Sequence, residues 1–341
     1  MKIIRNFCLI SICIFIVACH GTKKSDSESN SKTDSLHVDL AALNKKIADN
    51  PKDAKLYDQR AAWYLENKDP EKALNDVNQA IQLEPKNSAY YRTLSDVYFA
   101  MGKIKNCEDA LNKACEINPN DAEAILKLGE LSFYQKDYKK TFEFIDKAQK
   151  IDNLNAKADF MRGMAFKDLG DTMKAVKSFE KAIEKDQQYF HAYMQLGLLY
   201  SLKHSPLAID YFNNALNINP KSIEALYALA SYYQQNGDFS KAIEKYSIII
   251  QIQPDYKYAH YNIGYIYLVE LQSYNDAVKH FTDAIKIDPN YAEAYYNRGY
   301  AYELSGNLKN ARDDYQQALK IRTNYDKAVE GMNRLDKISH K

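Results

Sequence analysis

The sequence predicts an all-α protein in which one helical hairpin is repeated along the chain. Glycine occurs only 11 times and proline 8 times in 341 residues, unlike a protein built from short strands and tight turns. Proline recurs every 34 or 35 residues, with one gap of three periods less one residue. A fixed period of this length indicates a solenoid of stacked supersecondary units. The prolines that define the period are Pro51, Pro85, Pro119, Pro220, Pro254 and Pro289.

The first residues have the pattern of a secretory signal. Lys2 and Arg5 precede an uncharged apolar run over 7–18, which is too short for a membrane span of about 20 residues. The run ends in the letters IVAC, which resemble the lipobox of bacterial lipoproteins; the resemblance implies that Cys19 is diacylated and becomes the new N-terminus. We therefore expect a lipoprotein signal peptide at 1–18. The alternative is an ordinary cleaved signal with an incidental cysteine.

A polar segment follows the predicted lipidation site. Residues 20–35 offer no side chain able to enter a core, so 19–35 is predicted to be the lipidated cysteine with a disordered tether. Two acyl chains bind a membrane stably, so we expect the folded body to stay close to the bilayer. Aspartate is absent directly after Cys19, which favours the outer membrane over the inner one. Whether the protein would lie on the periplasmic or the surface face of that membrane is not predicted.

Residues 54–325 divide into eight repeats with a shared pattern of residue sizes. Small residues at positions 8, 20 and 27 let two helices approach closely, and an aromatic residue at position 11 fills the remaining gap. This pattern resembles the tetratricopeptide repeat (TPR) family, which implies a right-handed α-solenoid of antiparallel helices A and B. Residues 36–53 indicate an N-terminal half repeat and 326–341 a C-terminal capping helix. Position 8 holds Ala61, Ser95, Gly129, Gly163, Gly197, Ala230, Gly264 and Gly299.

Two repeats depart from the common length. Repeat 5 is one residue short around SLKHSPLA, and repeat 7 is one residue long around LVELQSYNDA. Because turns tolerate length changes, we expect both changes in the turn between helices A and B.

The resemblance implies a concave groove lined by helix A. A tyrosine ring beside an amide suits an extended polypeptide, and it also suits a sugar. Methionine-rich apolar surfaces adapt to varied partners. For both sets the alternative is groove residues partly buried against neighbouring helices. The predicted tyrosine surface comprises Tyr227, Tyr258, Tyr261, Asn262, Tyr265, Tyr296, Asn297 and Tyr300. The predicted apolar set comprises Phe133, Phe160, Met161, Met164 and Met194.

No sequence motif indicates chemistry, a cofactor or a metal. Phosphate-binding loops, dinucleotide fingerprints, nucleophile elbows and zinc-ligand spacings are absent, so we expect no enzyme activity. The 46 Lys plus Arg nearly balance 45 Asp plus Glu, so nucleic acid is not an expected partner. Cys107 and Cys115 are about 12 Å apart along one predicted helix, too far for a disulfide, and are expected to be free thiols.

Several polar residues have simpler interpretations. His191 and His260 lie on helices A, where solvated or packed imidazoles are expected. The acidic pair Asp313 and Asp314 indicates a solvated face of helix B, and Arg298 is expected to lay its stem along the core while its charge stays in water. Adjacent repeats carry asparagine at position 6 without the basic partners of the TPR carboxylate clamp, so this groove is not expected to bind a C-terminal carboxylate.

Together these features predict a non-catalytic, lipid-anchored TPR scaffold or adaptor of the bacterial envelope. The resemblance implies a partner protein or extended peptide on the concave face, in assembly, secretion or cell-wall remodelling. A different possibility is a glycan-binding TPR lipoprotein in exopolysaccharide export. Neither the partner nor the oligomeric state follows from the sequence.

Overall fold

The computed structural model describes residues 40–339, which are helical and contain no β-strand. The prediction of an all-α repeat solenoid is therefore confirmed. The predicted signal peptide, Cys19 and the tether lie outside the described residues. The chain divides into two compact units, the first ending at Asn153 and the second beginning at Leu154.

The first unit contains one leading helix and three helical hairpins. Each helix packs on the next, because its small and apolar residues face its neighbours in the chain. Leu43 and Ile47 are the buried residues of the leading helix, which packs on the second. The helices are α1 (Leu40–Asp49), α2 (Ala54–Glu66), α3 (Pro70–Leu83), α4 (Ser88–Ala100), α5 (Ile104–Ile117), α6 (Ala122–Tyr134) and α7 (Tyr138–Ile151).

The second unit continues the same alternation and carries the tyrosine surface. Its last helix packs on both preceding helices. The helices are α8 (Ala156–Asp168), α9 (Thr172–Lys185), α10 (Phe190–Ser201), α11 (Leu207–Ile218), α12 (Ile223–Gln235), α13 (Phe239–Ile252), α14 (Lys257–Tyr265) with a π-helical turn (Ile266–Glu270), α15 (Tyr274–Ile287), α16 (Ala292–Leu304), α17 (Leu308–Ile321) and α18 (Asp326–Ser339).

In several repeats the glycine at position 8 faces an aromatic ring of helix B. A Cβ placed on Gly163 would lie 2.5 Å from Cε1 of Phe179, and one placed on Gly197 would lie 2.5 Å from Cε1 of Phe212. Both rings are fully buried. Glycine at these positions therefore provides the space that the ring of the same repeat fills.

The turn between helices A and B uses a left-handed residue. Gly102 and Gly306 adopt φ of 71° and 82°, which glycine tolerates without steric cost. Other repeats place an ordinary residue there, including Lys68 at φ 62° and Lys136 at φ 60°. The geometry of the turn is thus retained in these repeats without glycine.

The extra residue of repeat 7 lies in helix A. The backbone N–H of Leu271 donates to the carbonyl of Ile266 at 3.0 Å, and Ile266–Glu270 is a π-helical turn. A π-turn absorbs one residue within a helix. The expected location in the inter-helix turn is corrected: the insertion widens the end of α14.

Two interpretations of charged residues were wrong. Nε and Nη2 of Arg298 donate to Oδ2 and Oδ1 of Asp314 at 2.8 and 2.7 Å, and Asp314 is only 6% exposed. Arg298 therefore does not keep its charge in water, and Asp314 is not on a solvated face, whereas Asp313 is exposed as expected. Repeat 1 contains the same bidentate pair between Arg60 and Asp76. Each buried carboxylate supplies both acceptors that a guanidinium fork needs.

Candidate partner-binding site

The tyrosine surface lies on helices A of three consecutive repeats within the second unit. Tyr258 is exposed, Asn297 is buried, and the other six residues are half-buried. Their positions on the helices are Tyr227 on α12, Tyr258, Tyr261, Asn262 and Tyr265 on α14, and Tyr296, Asn297 and Tyr300 on α16.

Asparagine amides connect neighbouring repeats through tyrosine hydroxyls. Nδ2 of Asn262 donates to the hydroxyl of Tyr227 at 3.0 Å, and Nδ2 of Asn297 donates to the hydroxyl of Tyr261 at 2.8 Å. We call these two bonds the tyrosine–asparagine ladder. An amide donor used in this way is not available to a partner, but it fixes the orientation of both side chains.

The rings of the ladder continue into a larger aromatic cluster. Tyr261 lies 5.6 Å from Phe281 and 5.0 Å from Tyr291, measured between ring centroids. Tyr227 lies 6.1 Å from Tyr256. Burial raises the pKa of Tyr227 and raises that of Tyr256 to about 12, so both hydroxyls are neutral hydrogen-bonding groups at physiological pH. The base of the surface is therefore a packed group of aromatic rings, in which the hydroxyls of Tyr227 and Tyr256 are neutral.

A lysine is fixed among the rings at the N-terminal end of α14. Nζ of Lys257 pairs with Oδ2 of Asp288 at 2.5 Å and lies 5.1 and 5.0 Å from the ring centroids of Tyr258 and Tyr291. The hydrogen bond from Lys257 lowers the pKa of Asp288. This cation joins α14 to the end of α15 and contacts two aromatic rings.

The C-terminal end of the surface is closed by a residue of α18. Nε and Nη2 of Arg334 donate to both carboxylate oxygens of Glu303 at 2.7 and 2.8 Å. The hydroxyl of Tyr315 donates to Glu303 at 2.5 Å. The Arg334 guanidinium lies 5.5 Å from the ring centroid of Tyr300, and Tyr296 and Tyr300 stand nearly parallel at 6.3 Å. A hydrogen-bonded ion pair thus orders the last two tyrosines of the surface.

The predicted set left out Tyr256, Tyr291, Lys257 and Arg334. Tyr256 and Tyr291 occupy the last position of their repeats, as do Tyr189 and Tyr325, so a recurring aromatic residue at the repeat junction was the available signal. Lys257 and Arg334 had no such signal, because single cations on helices are usually solvated.

The apolar set is divided between the two units and is mostly buried. Phe133 belongs to the first unit and the other four residues to the second. Met161 and Met164 are 8% exposed and Met194 is 1% exposed, while Phe160 is half-buried and packs 5.5 Å from Phe179. These methionines have a packing role in the structure, and their use by a partner stays a prediction.

Two cysteines lie within 40–339, of which Cys107 is buried and Cys115 is half-buried. Cys107 and Cys115 are free, and burial raises the pKa of Cys107 to about 11. The thiolate of Cys107 is therefore scarce at neutral pH. Across the described residues, no cluster of three or more His, Cys, Asp or Glu side chains could hold a metal ion.

None of the helices described between residues 40 and 339 has the length and apolar content needed to cross a membrane.

Sequence models of one repeat family match this chain in five places. The model described as TPR repeat matches 268–306, and models described as Tetratricopeptide repeat match 64–131, 160–223, 211–244 and 292–325. Together these ranges cover more than half of the chain. The chain is a tetratricopeptide repeat protein. The alternating helices are thus TPR helices A and B, a fold that typically serves as a scaffold for protein interactions.

The TPR chain is similar to parts of larger curated proteins. It is 33% identical over 90 residues to BBSome complex member BBS4 of Bos taurus, covering 26% of this chain and 17% of that protein. It is 28% identical over 109 residues to Superkiller complex protein 3 of Homo sapiens, covering 32% of this chain and 7% of that protein. The matched part thus spans less than a fifth of either relative.

Two crystal structures of other proteins resemble the TPR chain. The MamA protein matches with a TM-score of 0.47 and 23% identity, over 51% of this chain and 96% of that chain. A tetratricopeptide repeat protein from Parabacteroides merdae matches with a TM-score of 0.48 and 17% identity, over 73% of this chain and 98% of that chain.

Proposed function

We propose that this TPR protein is a lipid-anchored adaptor of the bacterial envelope. It binds an extended segment of a partner protein on the tyrosine surface of repeats 6 to 8. The observation that carries the proposal is the row of tyrosines on three consecutive helices A, held in place by the tyrosine–asparagine ladder. Rigid aromatic side chains with polar tips bind proteins at low entropic cost.

The contacts of the rings favour a protein partner over a glycan. A sugar stacks on a free aromatic face, whereas Lys257 lies over the rings of Tyr258 and Tyr291, and Arg334 lies over the ring of Tyr300. A sugar stacking on those same faces would have to displace cations that are also held by carboxylates. A polypeptide can instead contact ring edges, hydroxyls and the cations themselves.

Affinity capture from solubilised membranes tests the surface. The triple variant Tyr258→Ala, Tyr265→Ala, Tyr300→Ala is expected to lose most of the partner recovered by the unmodified full-length chain. Tyr261 is left intact because its hydroxyl accepts the buried bond from Asn297.

The matched control for capture is Tyr211→Ala, which removes a half-buried tyrosine from α11, a helix B of the same unit. It is expected to recover the partner normally. Thermal melts followed by circular dichroism check that each variant is folded. Undiminished capture by the triple variant would contradict the tyrosine surface as the binding site, and binding of envelope polysaccharide alone would support the glycan alternative.

The anchor rests on the lipobox-like letters before Cys19. Cys19→Ser should move the protein from the detergent phase to the aqueous phase in a phase-partition assay, since no acyl chain can be attached. Cys115→Ser is the control and should stay in the detergent phase. Retention of Cys19→Ser in the detergent phase would argue against lipidation at this residue, and density-gradient separation of the two membranes tests the outer-membrane location.

A further inference from the structure

Two imidazoles lie against each other between α14 and α15. His260 is 9% exposed, His280 is half-buried, and their ring centroids are 6.2 Å apart. Nδ1 of each ring is buried and, among the described residues, has no hydrogen-bond partner. The ring of Tyr267, in the π-helical turn, stacks on His280 at 5.7 Å. The pair therefore sits inside the hairpin of repeat 7.

The hydrogen bond at the other nitrogen of His260 defines its tautomer. Nε2 of His260 lies 3.2 Å from the carbonyl oxygen of Pro254. Because a carbonyl oxygen can only accept a hydrogen bond, Nε2 carries the proton and Nδ1 carries a lone pair. A second proton on this ring would occupy a buried Nδ1 that faces no acceptor of the described chain. A buried donor without an acceptor carries a desolvation cost, and a buried charge carries a larger one.

The groups around His280 do not offset a positive charge there. Burial is the largest cause that lowers the pKa of His280, and His260 and Lys279 lower it further. Asp283 and Asp276 on α15 have smaller effects in the opposite direction. On the side of α16, Nη1 of Arg298 donates to Thr282, while the same guanidinium is paired with Asp314. The titratable and charged groups that contact His280 or act on its charge are His260, Tyr267, Lys279, Asp276 and Asp283.

We propose that His280, packed against His260 inside the hairpin of repeat 7, is an acid-sensitive switch that opens this hairpin when the His280 imidazole becomes charged. At neutral pH the His280 ring is neutral and packs against His260. Protonation of His280 places a charge in a partly buried space, so the population in which α14 and α15 are separated rises.

The direction of the pH dependence follows from His280. Its pKa in the folded chain lies below the unfolded value of about 6.5. The stability that this group contributes is therefore complete above about pH 6.5 and is lost as the pH falls through its folded pKa. Between those limits the opening equilibrium rises up to about tenfold per pH unit for each proton taken up.

The switch would regulate the tyrosine surface, a consequence that rests on the proposed function. α14 contributes one member to each bond of the ladder: Asn262 donates to Tyr227, and Tyr261 accepts from Asn297. Opening of repeat 7 removes both bonds together. A bound segment is then released on acidification, while the opening itself requires no partner.

Hydrogen exchange with mass spectrometry on the full-length chain tests the switch. Protection factors, corrected for the intrinsic exchange rate, are compared at pH 7.5, 6.5 and 5.5. Peptides from α14 and α15 should lose protection between pH 6.5 and 5.5, by up to about fivefold for the one proton taken up by His280, whereas peptides from α12 should change little. A second experiment measures how much partner is pulled down at the same pH values, and recovery should fall as the pH falls.

The decisive variant is His280→Phe, which keeps a ring against Tyr267 and removes the titrating group. His280→Gln is a second variant in case the first is misfolded at pH 7.5. Each should flatten the response of repeat 7, while the exposed His191→Phe on α10 should leave it unchanged. Protection that is independent of pH, or a response that persists in both His280 variants, overturns the proposal. A pH response without any captured partner leaves the switch standing and counts against the proposed function.

Discussion

The contact between Gly197 and Phe212 can be tested by adding one methyl group. In Gly197→Ala the new Cβ would lie 2.5 Å from Cε1 and 2.6 Å from Cδ1 of Phe212. Carbon atoms in contact are normally about 3.5–4.0 Å apart, so the ring must move by roughly 1 Å. Phe212 is fully buried and has no solvent to move into. Overpacking costs about 1–3 kcal/mol, against a gain of about 1 kcal/mol in helix propensity.

We therefore expect Gly197→Ala to lower the free energy of unfolding by up to about 2 kcal/mol, the reverse of the usual effect of this substitution in a helix. Urea unfolding followed by circular dichroism measures it. Repeat 1 suggests the compensating change, because it holds Ala61 with Val77 at the corresponding positions. Phe212→Val alone should destabilise by creating a cavity.

The double variant Gly197→Ala, Phe212→Val should lose less than the sum of the single losses, by about 1 kcal/mol or more. This comparison separates a steric clash from any general sensitivity of α10. If Gly197→Ala is stabilising, or if the two changes are additive, the close approach of this ring is not what requires glycine at position 8.

Three further predictions concern a buried ion pair, a left-handed backbone position and a hydrogen bond of the ladder. Arg298→Ala leaves Asp314, 6% exposed, without its partner and should cost about 3–5 kcal/mol in urea unfolding, with part regained by Arg298→Ala, Asp314→Ala; an equal loss in the double variant would argue against the pair. Lys136→Gly relieves a left-handed residue at φ 60° and should raise the melting temperature, equivalent to about 1 kcal/mol; a lower melting temperature would contradict this. Asn297→Leu removes the donor to Tyr261 and should cost about 1 kcal/mol, as should Tyr261→Phe; unequal losses would show that the bond is not the shared cause.

The register of the repeats was predictable because each repeat experiences the same local constraints. Small residues at position 8 could be assigned from sequence spacing, and the structure places Gly163 and Gly197 against rings of helix B. The identity of that ring was not predictable, because helix spacing alone does not determine which side chain fills a gap.

The placement of the candidate residues on helices A was predictable, whereas their hydrogen bonds were not. Helix periodicity placed Tyr261 and Asn297 on helices A. Their hydrogen bond joins residues 36 apart, and only coordinates reveal that Nδ2 reaches the hydroxyl at 2.8 Å. Burial was also not predictable, because Met194 occupies a position expected to line the groove and is only 1% exposed.

The sequence by itself determined the period, the alternation of helices A and B, and which residues share a helix face. These follow from spacing, because the α-helix repeats every 3.6 residues and each hairpin buries the same positions. Tertiary structure decided how those residues are used: Asn262 bonds to Tyr227, Arg298 pairs with Asp314, and two imidazoles meet inside repeat 7. Such contacts depend on distances of a few ångströms between separate helices, and these are set by how all the neighbouring side chains pack together.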